Sequence, residues 1–179
     1  MIIWLNGAFG AGKTTVAGEL CRRLPAARLF DPERVGAVLR RVRPVPTGDY
    51  QDLPAWRRWT VRLTWLAARG GRPVVVPMTV WRPDHRAALL GGLRERGLAV
   101  RQVVLRVPPS VLRDRIDADR VEAAARDWRH AHLDRTVAGL AGCEPGTIEV
   151  THHGRAPGEV AAEIVARLDL NRPTSKRRS

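Results

Sequence analysis

The residues Gly7-Ala8-Phe9-Gly10-Ala11-Gly12-Lys13-Thr14 match the pattern G-x-x-x-x-G-K-[ST] in full. A loop of this kind works only when a buried strand delivers the chain to it and a helix begins at its end. Ile2 to Leu5 has the β-branched and aromatic character of a fully buried strand. Behind the loop, Thr15 to Leu24 places Val16, Leu20 and Leu24 on one helical face. The glycines let the backbone curl so that successive N–H groups converge on phosphate oxygens, and the helix N-terminus adds partial positive charge. The stretch Gly7, Ala8, Phe9, Gly10, Ala11, Gly12, Lys13, Thr14 and Thr15 is therefore expected to hold a nucleoside triphosphate. Lys13 reaches the β- and γ-phosphates and the Thr14 hydroxyl ligates Mg²⁺, so ATP and Mg²⁺ are the expected cofactors.

The rest of the chain alternates strands with helices. Ala27–Phe30 reads as a short second strand, and Asp31-Pro32-Glu33 announces a helix to Arg41. Prolines and glycine make 42–50 a loop, and a helix follows from Asp52 to about Ala68, with Trp56, Trp59, Leu63 and Leu66 at helical spacing. Apolar runs at 73–79, 100–107 and 147–151 predict three more strands, with helices from Pro83, Pro109, about Trp128 and Gly158. Such alternation requires right-handed crossovers, which give a doubly wound, parallel, five-stranded α/β sheet of the P-loop kinase-like kind. Residues 1–170 read as one domain. Within it, 113–130 is an Arg-rich helical lid, and 171–179 is a basic, disordered tail.

The 179 residues carry a net charge of +13, which comes almost wholly from arginine because Lys13 and Lys176 are the only lysines. A basic balance can serve nucleic acid. Here the arginines are spread along the chain rather than gathered in a stripe, and no nucleic-acid partner is expected. The longest apolar runs fall far short of a membrane span, and a cytoplasmic setting is expected. Cys21 and Cys143 form no metal or redox motif and read as buried thiols.

In an open parallel sheet ligands gather at the carboxyl ends of the strands. This brings Asp31, Met78, Thr79 and the residues after the fourth strand toward the loop. Asp31 could deprotonate a substrate hydroxyl facing the γ-phosphate, or simply cap the helix that begins at Pro32. The third strand lacks the terminal acid that many NTPases place on the metal, which favours a small kinase over a motor ATPase. The expected lid concentrates Arg113, Arg115, Arg120, Arg126 and Arg129; at least one of Arg115, Arg120 and Arg126 is expected to close over the transferred phosphoryl group, with Arg120 and Arg126 assigned to catalysis, as against pairing with neighbouring acids on a solvated helix. Thr151 and Arg155, after the fifth strand, are expected at the adenine, and Tyr50, Trp56 and Trp81 flank the expected acceptor pocket.

The segments Ile2 to Thr14, Phe30-Asp-Pro-Glu-Arg-Val-Gly36, Val76-Pro-Met-Thr79 and Trp128 to Arg135 resemble the tunicamycin-resistance ATP-binding proteins. The similarity runs to about Leu168. It implies an ATP-binding protein that protects cells from a uridine-containing nucleoside antibiotic, either by phosphorylating a hydroxyl of that small molecule or by sequestering it. Members of the family can carry a longer C-terminal segment suited to membrane association. The short basic tail here makes that association doubtful.

Overall fold

A computed structural model describes residues 1–42, 49–120 and 125–168. Among the described residues, five strands form one sheet: β1 (Ile2–Gly7), β2 (Arg28–Leu29), β3 (Val74–Pro77), β4 (Val100–Arg106) and β5 (Ile148–Thr151). Their spatial order is β2-β3-β1-β4-β5 and every pairing is parallel. Among the described residues, seven helices cover the sheet: α1 (Lys13–Arg23), α2 (Pro32–Val42), α3 (Pro54–Ala67), α4 (Pro83–Arg94), α5 (Pro109–Ala118), α6 (Arg126–Ala141) and α7 (Pro157–Arg167). A 3₁₀ turn, Tyr50–Asp52, leads into α3.

The pleat of β1 divides the core. Ile3 and Leu5 join Val16, Leu20, Leu133, Leu140, Val160 and Ile164 on the face covered by α1, α6 and α7. Ile2 and Trp4 join Trp56, Val61, Leu89, Leu90 and Leu93 on the face covered by α3 and α4. A strand buried on both faces reads as a continuous apolar run rather than an alternating one. That is why β1 and β3 were legible as strands. Proline at the first turn starts α3, α4, α5 and α7, where its missing N–H is no loss.

Strand β1 lies between β3 and β4, the point where the strand order turns, so a crevice opens beyond its carboxyl end. Two expectations need correcting. Trp59 and Leu66 share helical spacing with the buried Trp56, yet they are exposed; Trp59 is 46% accessible and lines a surface groove with Phe30, Val38 and Leu63. Both cysteines are free and only partly buried, and burial raises their thiol pKa values. The expected tail at 171–179 lies outside the described residues, as do residues 121–124 of the expected lid. No helix among the described residues is long and apolar enough to cross a membrane.

Candidate functional site: a phosphate loop facing a polar and aromatic cleft

A cleft of about 870 Å³ opens at the carboxyl end of β1. Its floor is the loop after β1, with Phe9, Gly10, Gly12, Lys13, Thr14 and Thr15 on its surface. Gly10 and Gly12 have φ of 76° and 80°, in the left-handed region that a side chain would strain. Ala8 and Ala11 are buried beneath them. One wall carries Glu33, Asp49, Tyr50, Gln51, Met78 and Thr79, and the other Arg115, Asp119, Trp128 and Arg129.

Buried polar side chains tie the loop to its surroundings. Asn6, fully buried, accepts from the Gly7 and Val80 N–H groups at 2.9 and 3.0 Å and donates to the Val80 carbonyl at 2.9 Å. Thr79 Oγ1 donates to the Gly7 carbonyl at 2.8 Å, and Gln51 Nε2 donates to the Thr79 carbonyl at 2.9 Å. The end of β3 and the turn before α3 therefore brace the first residue of the loop. Burial leaves few routes by which such a network can relax.

Lys13 Nζ donates to the Gly7 and Ala8 carbonyls at 3.1 and 3.0 Å, folded back over the loop. Desolvation brings its pKa from 10.5 down to about 8; the Glu33 carboxylate opposes the shift and the Arg129 guanidinium adds to it. Glu33 and Arg129 are thus both close enough to the ammonium to be felt there. On the far wall, burial holds the Asp49 carboxyl above the ordinary carboxylate range, although its side chain accepts from the Gln51 N–H at 2.9 Å.

The structure distributes the other expected site residues unevenly. Asp31 Oδ1 accepts from the Glu33 N–H at 2.9 Å, which is a cap on α2. Its side chain lines the apolar groove with Leu29 and Phe30, while Glu33, two residues on, lines the cleft. Successive helical positions are rotated by about 100°, so the two carboxylates face different surfaces. Arg120 is exposed, and neither it nor Arg126 is among the residues lining the cleft. Arg126 Nε is buried without a hydrogen-bond partner among the described residues. Arg115 and Arg129 occupy the cleft wall instead: Arg115 Nη1 donates to the Gly10 carbonyl at 3.1 Å, and Arg129 Nη1 pairs with Asp119 at 2.9 Å.

Thr151 and Arg155 also stand apart from the cleft. Arg155 folds onto the Thr151 carbonyl and pairs with Glu163 at 2.6 Å. Of the aromatic residues named from sequence, Tyr50 lines the cleft. Trp56 is fully buried, with Nε1 donating to the Pro32 carbonyl, and Trp81 packs against the core. Trp128 also faces the cleft. It meets Phe9 edge-on at 5.4 Å and stacks on His132 at 4.2 Å.

The Thr14 hydroxyl is exposed at the start of α1, and the carboxylates of Glu33, Asp49 and Asp119 line the same cleft. No cluster of three His, Cys, Asp or Glu side chains among the described residues could hold a metal alone. One hydroxyl with carboxylates at a distance suits Mg²⁺, which keeps several waters and takes phosphate oxygens as ligands.

Residues 2–142 match the model of the AAA domain family. The tunicamycin resistance protein of Deinococcus radiodurans is 31% identical, with a TM-score of 0.74 over 94% of this chain and 95% of that one. The chain belongs to the family of tunicamycin-resistance P-loop proteins. Two more distant structures share the fold. A sugar kinase from Janibacter sp. HTCC2649 is 18% identical with a TM-score of 0.69, over 95% of each chain. The APS kinase of Mycobacterium tuberculosis, solved with AMPPNP and APS, is 20% identical with a TM-score of 0.65, over 94% of this chain and 96% of that one. No protein among curated sequences matches the chain.

Proposed function

We propose that the protein transfers the γ-phosphoryl group of ATP to a hydroxyl of a small molecule, a uridine-type nucleoside antibiotic such as tunicamycin. The observation that carries this reading is the grouping of Lys13, Glu33 and Arg129 in one cleft: a cation on the phosphate loop, with a carboxylate and a guanidinium from the two walls whose charges both act on it. ATP lies with its phosphates on the N–H groups of the loop, and Lys13 leaves the Gly7 and Ala8 carbonyls for the β- and γ-phosphates. Glu33 takes the proton of the acceptor hydroxyl as its oxygen attacks the γ-phosphorus. The bond to the β,γ-bridging oxygen breaks and ADP leaves. Arg129 and Arg115 stabilise the charge spread over the transferred group, a role expected from sequence of at least one of Arg115, Arg120 and Arg126. Thr14, with water, would hold Mg²⁺, which would supply neutralisation of the phosphate charge.

The acceptor lies between Asp49, Tyr50 and Gln51 on one wall of the cleft and Trp128 on the other. A planar pyrimidine stacks on Trp128, an interaction worth about 0.5–1.5 kcal/mol beyond area burial, while the polar side chains take sugar hydroxyls. The test is incubation with ATP, Mg²⁺ and a panel of nucleosides including tunicamycin, followed by mass spectrometry. A phosphate mass gain on one acceptor is expected; ATP turnover without any phosphorylated acceptor contradicts the proposal.

A further inference from the structure

His152 follows β5, and its ring is directed inward beneath the phosphate loop. Its backbone N–H donates to the Arg106 carbonyl at 2.9 Å, which extends the β4–β5 pairing by one residue. The strand's alternation then sets Thr151 and His153 outward and buries the His152 ring at 4% exposure. Ring Nδ1 lies 2.7 Å from the Ala11 carbonyl oxygen. A carbonyl only accepts, so Nδ1 carries the hydrogen. The ring also closes the space beside Gly12: a Cβ there would sit 2.5 Å from His152 Cε1 and 2.9 Å from Nδ1.

The Ala11 carbonyl belongs to the same planar peptide as the Gly12 N–H, and in a trans peptide the two point in opposite directions. No cis peptide occurs in the chain's described residues. Holding the carbonyl down on His152 therefore turns the Gly12 N–H up, toward the phosphate side of the loop. We infer that His152 is a positioning residue for nucleotide binding: its Nδ1–H fixes the Ala11–Gly12 peptide in the orientation that presents an N–H to phosphate. The inference rests on the proposal that ATP occupies this loop. It assigns a task to a histidine that touches neither nucleotide nor acceptor, and it accounts for glycine at position 12 on steric as well as conformational grounds.

Nucleotide titrations by calorimetry test it, with folding checked by thermal unfolding. His152→Leu fills the site without a donor, and ATP and ADP affinity should fall about tenfold, the scale of one lost hydrogen bond. His152→Asn places an amide N–H where Nδ1 stands and should restore most of that affinity. The KM of the acceptor should not move in either variant. Wild-type affinity in folded His152→Leu, or a loss that His152→Asn fails to restore, overturns the inference. NMR of the imidazole nitrogens in the wild-type protein without nucleotide gives a reading that needs no variant: Nδ1 protonated is expected, and a ring protonated only at Nε2 overturns it. Wild-type protein that binds no adenine nucleotide would sink the functional proposal and with it this role for His152, whatever the tautomer.

Discussion

Replacing Glu33 and Asp31 separately distinguishes a base in the cleft from a cap on its neighbour. Glu33→Gln removes charge and basicity while keeping size. Loss of a general base costs roughly a hundredfold in turnover at the low end of the usual range. A second effect follows from Lys13. Glu33 supports its charged form against desolvation, so without that carboxylate its pKa falls below about 8 and a smaller fraction of the free protein carries the ammonium near pH 8. ATP affinity in Glu33→Gln should therefore be lower at pH 8 and recover toward pH 7. Asp31→Asn retains an Oδ1 to accept the Glu33 N–H, and asparagine caps helices as well as aspartate does. Its stability should change by no more than about 0.5 kcal/mol and its turnover by less than about twofold. Product formation measured by mass spectrometry, with thermal unfolding of each variant, decides the matter. A hundredfold loss in Asp31→Asn beside near-normal Glu33→Gln would refute the assignment and return the base to Asp31.

Three further outcomes are expected. ATP binding should weaken as pH rises through about 8, because phosphate requires the ammonium form of Lys13 and the free protein loses it there; calorimetry in buffers of different ionisation enthalpy at pH 8 should show uptake of about half a proton, and none if Lys13 titrates near 10.5. For the nucleotide-free protein the sign is the reverse: the unfolded chain holds this proton up to about 10.5 and the folded one to about 8, so this group makes stability rise with pH between them. Trp128→Ala should raise the acceptor KM about three- to tenfold with ATP affinity unchanged, as follows from one lost stacking contact; an equal effect on ATP would place the ring at the nucleotide. Asn6→Ala leaves the Gly7 N–H and both Val80 groups without partners, and should lower stability by about 3 kcal/mol or more in denaturant unfolding; a change under 1 kcal/mol would mean water replaces the side chain.

The loop, the strand that feeds it and the alternation of strands and helices were legible because each depends on local pattern: a glycine-lysine spacing, an apolar run, a proline at a first turn. Strand order was not, since nothing local says that β1 pairs with both β3 and β4. The site divided along the same line. Phe9, Gly12, Lys13 and Thr14 follow one another in the chain and were found together. Trp128 reaches Phe9 from more than a hundred residues away, and only the fold brings them within contact. Asp31 and Glu33 were separable only by helix rotation, which a two-residue uncertainty in the start of α2 would reverse. His152 carried a usable signal in the alternation past β5, where an inward residue lies between two outward ones. Trp59 misled for the opposite reason: helical spacing marks a face, but the groove beside it shows that a face can be apolar and still open to solvent.

The most direct measurement follows the γ-phosphoryl group itself. With ATP labelled in its γ-phosphate oxygens, Mg²⁺ and tunicamycin, the account predicts ADP and a singly phosphorylated drug bearing the label in equal amounts, and neither product with Lys13→Ala. Wild-type protein that binds both ATP and the drug yet leaves the label in ATP, or releases it as free phosphate, contradicts phosphoryl transfer and favours sequestration.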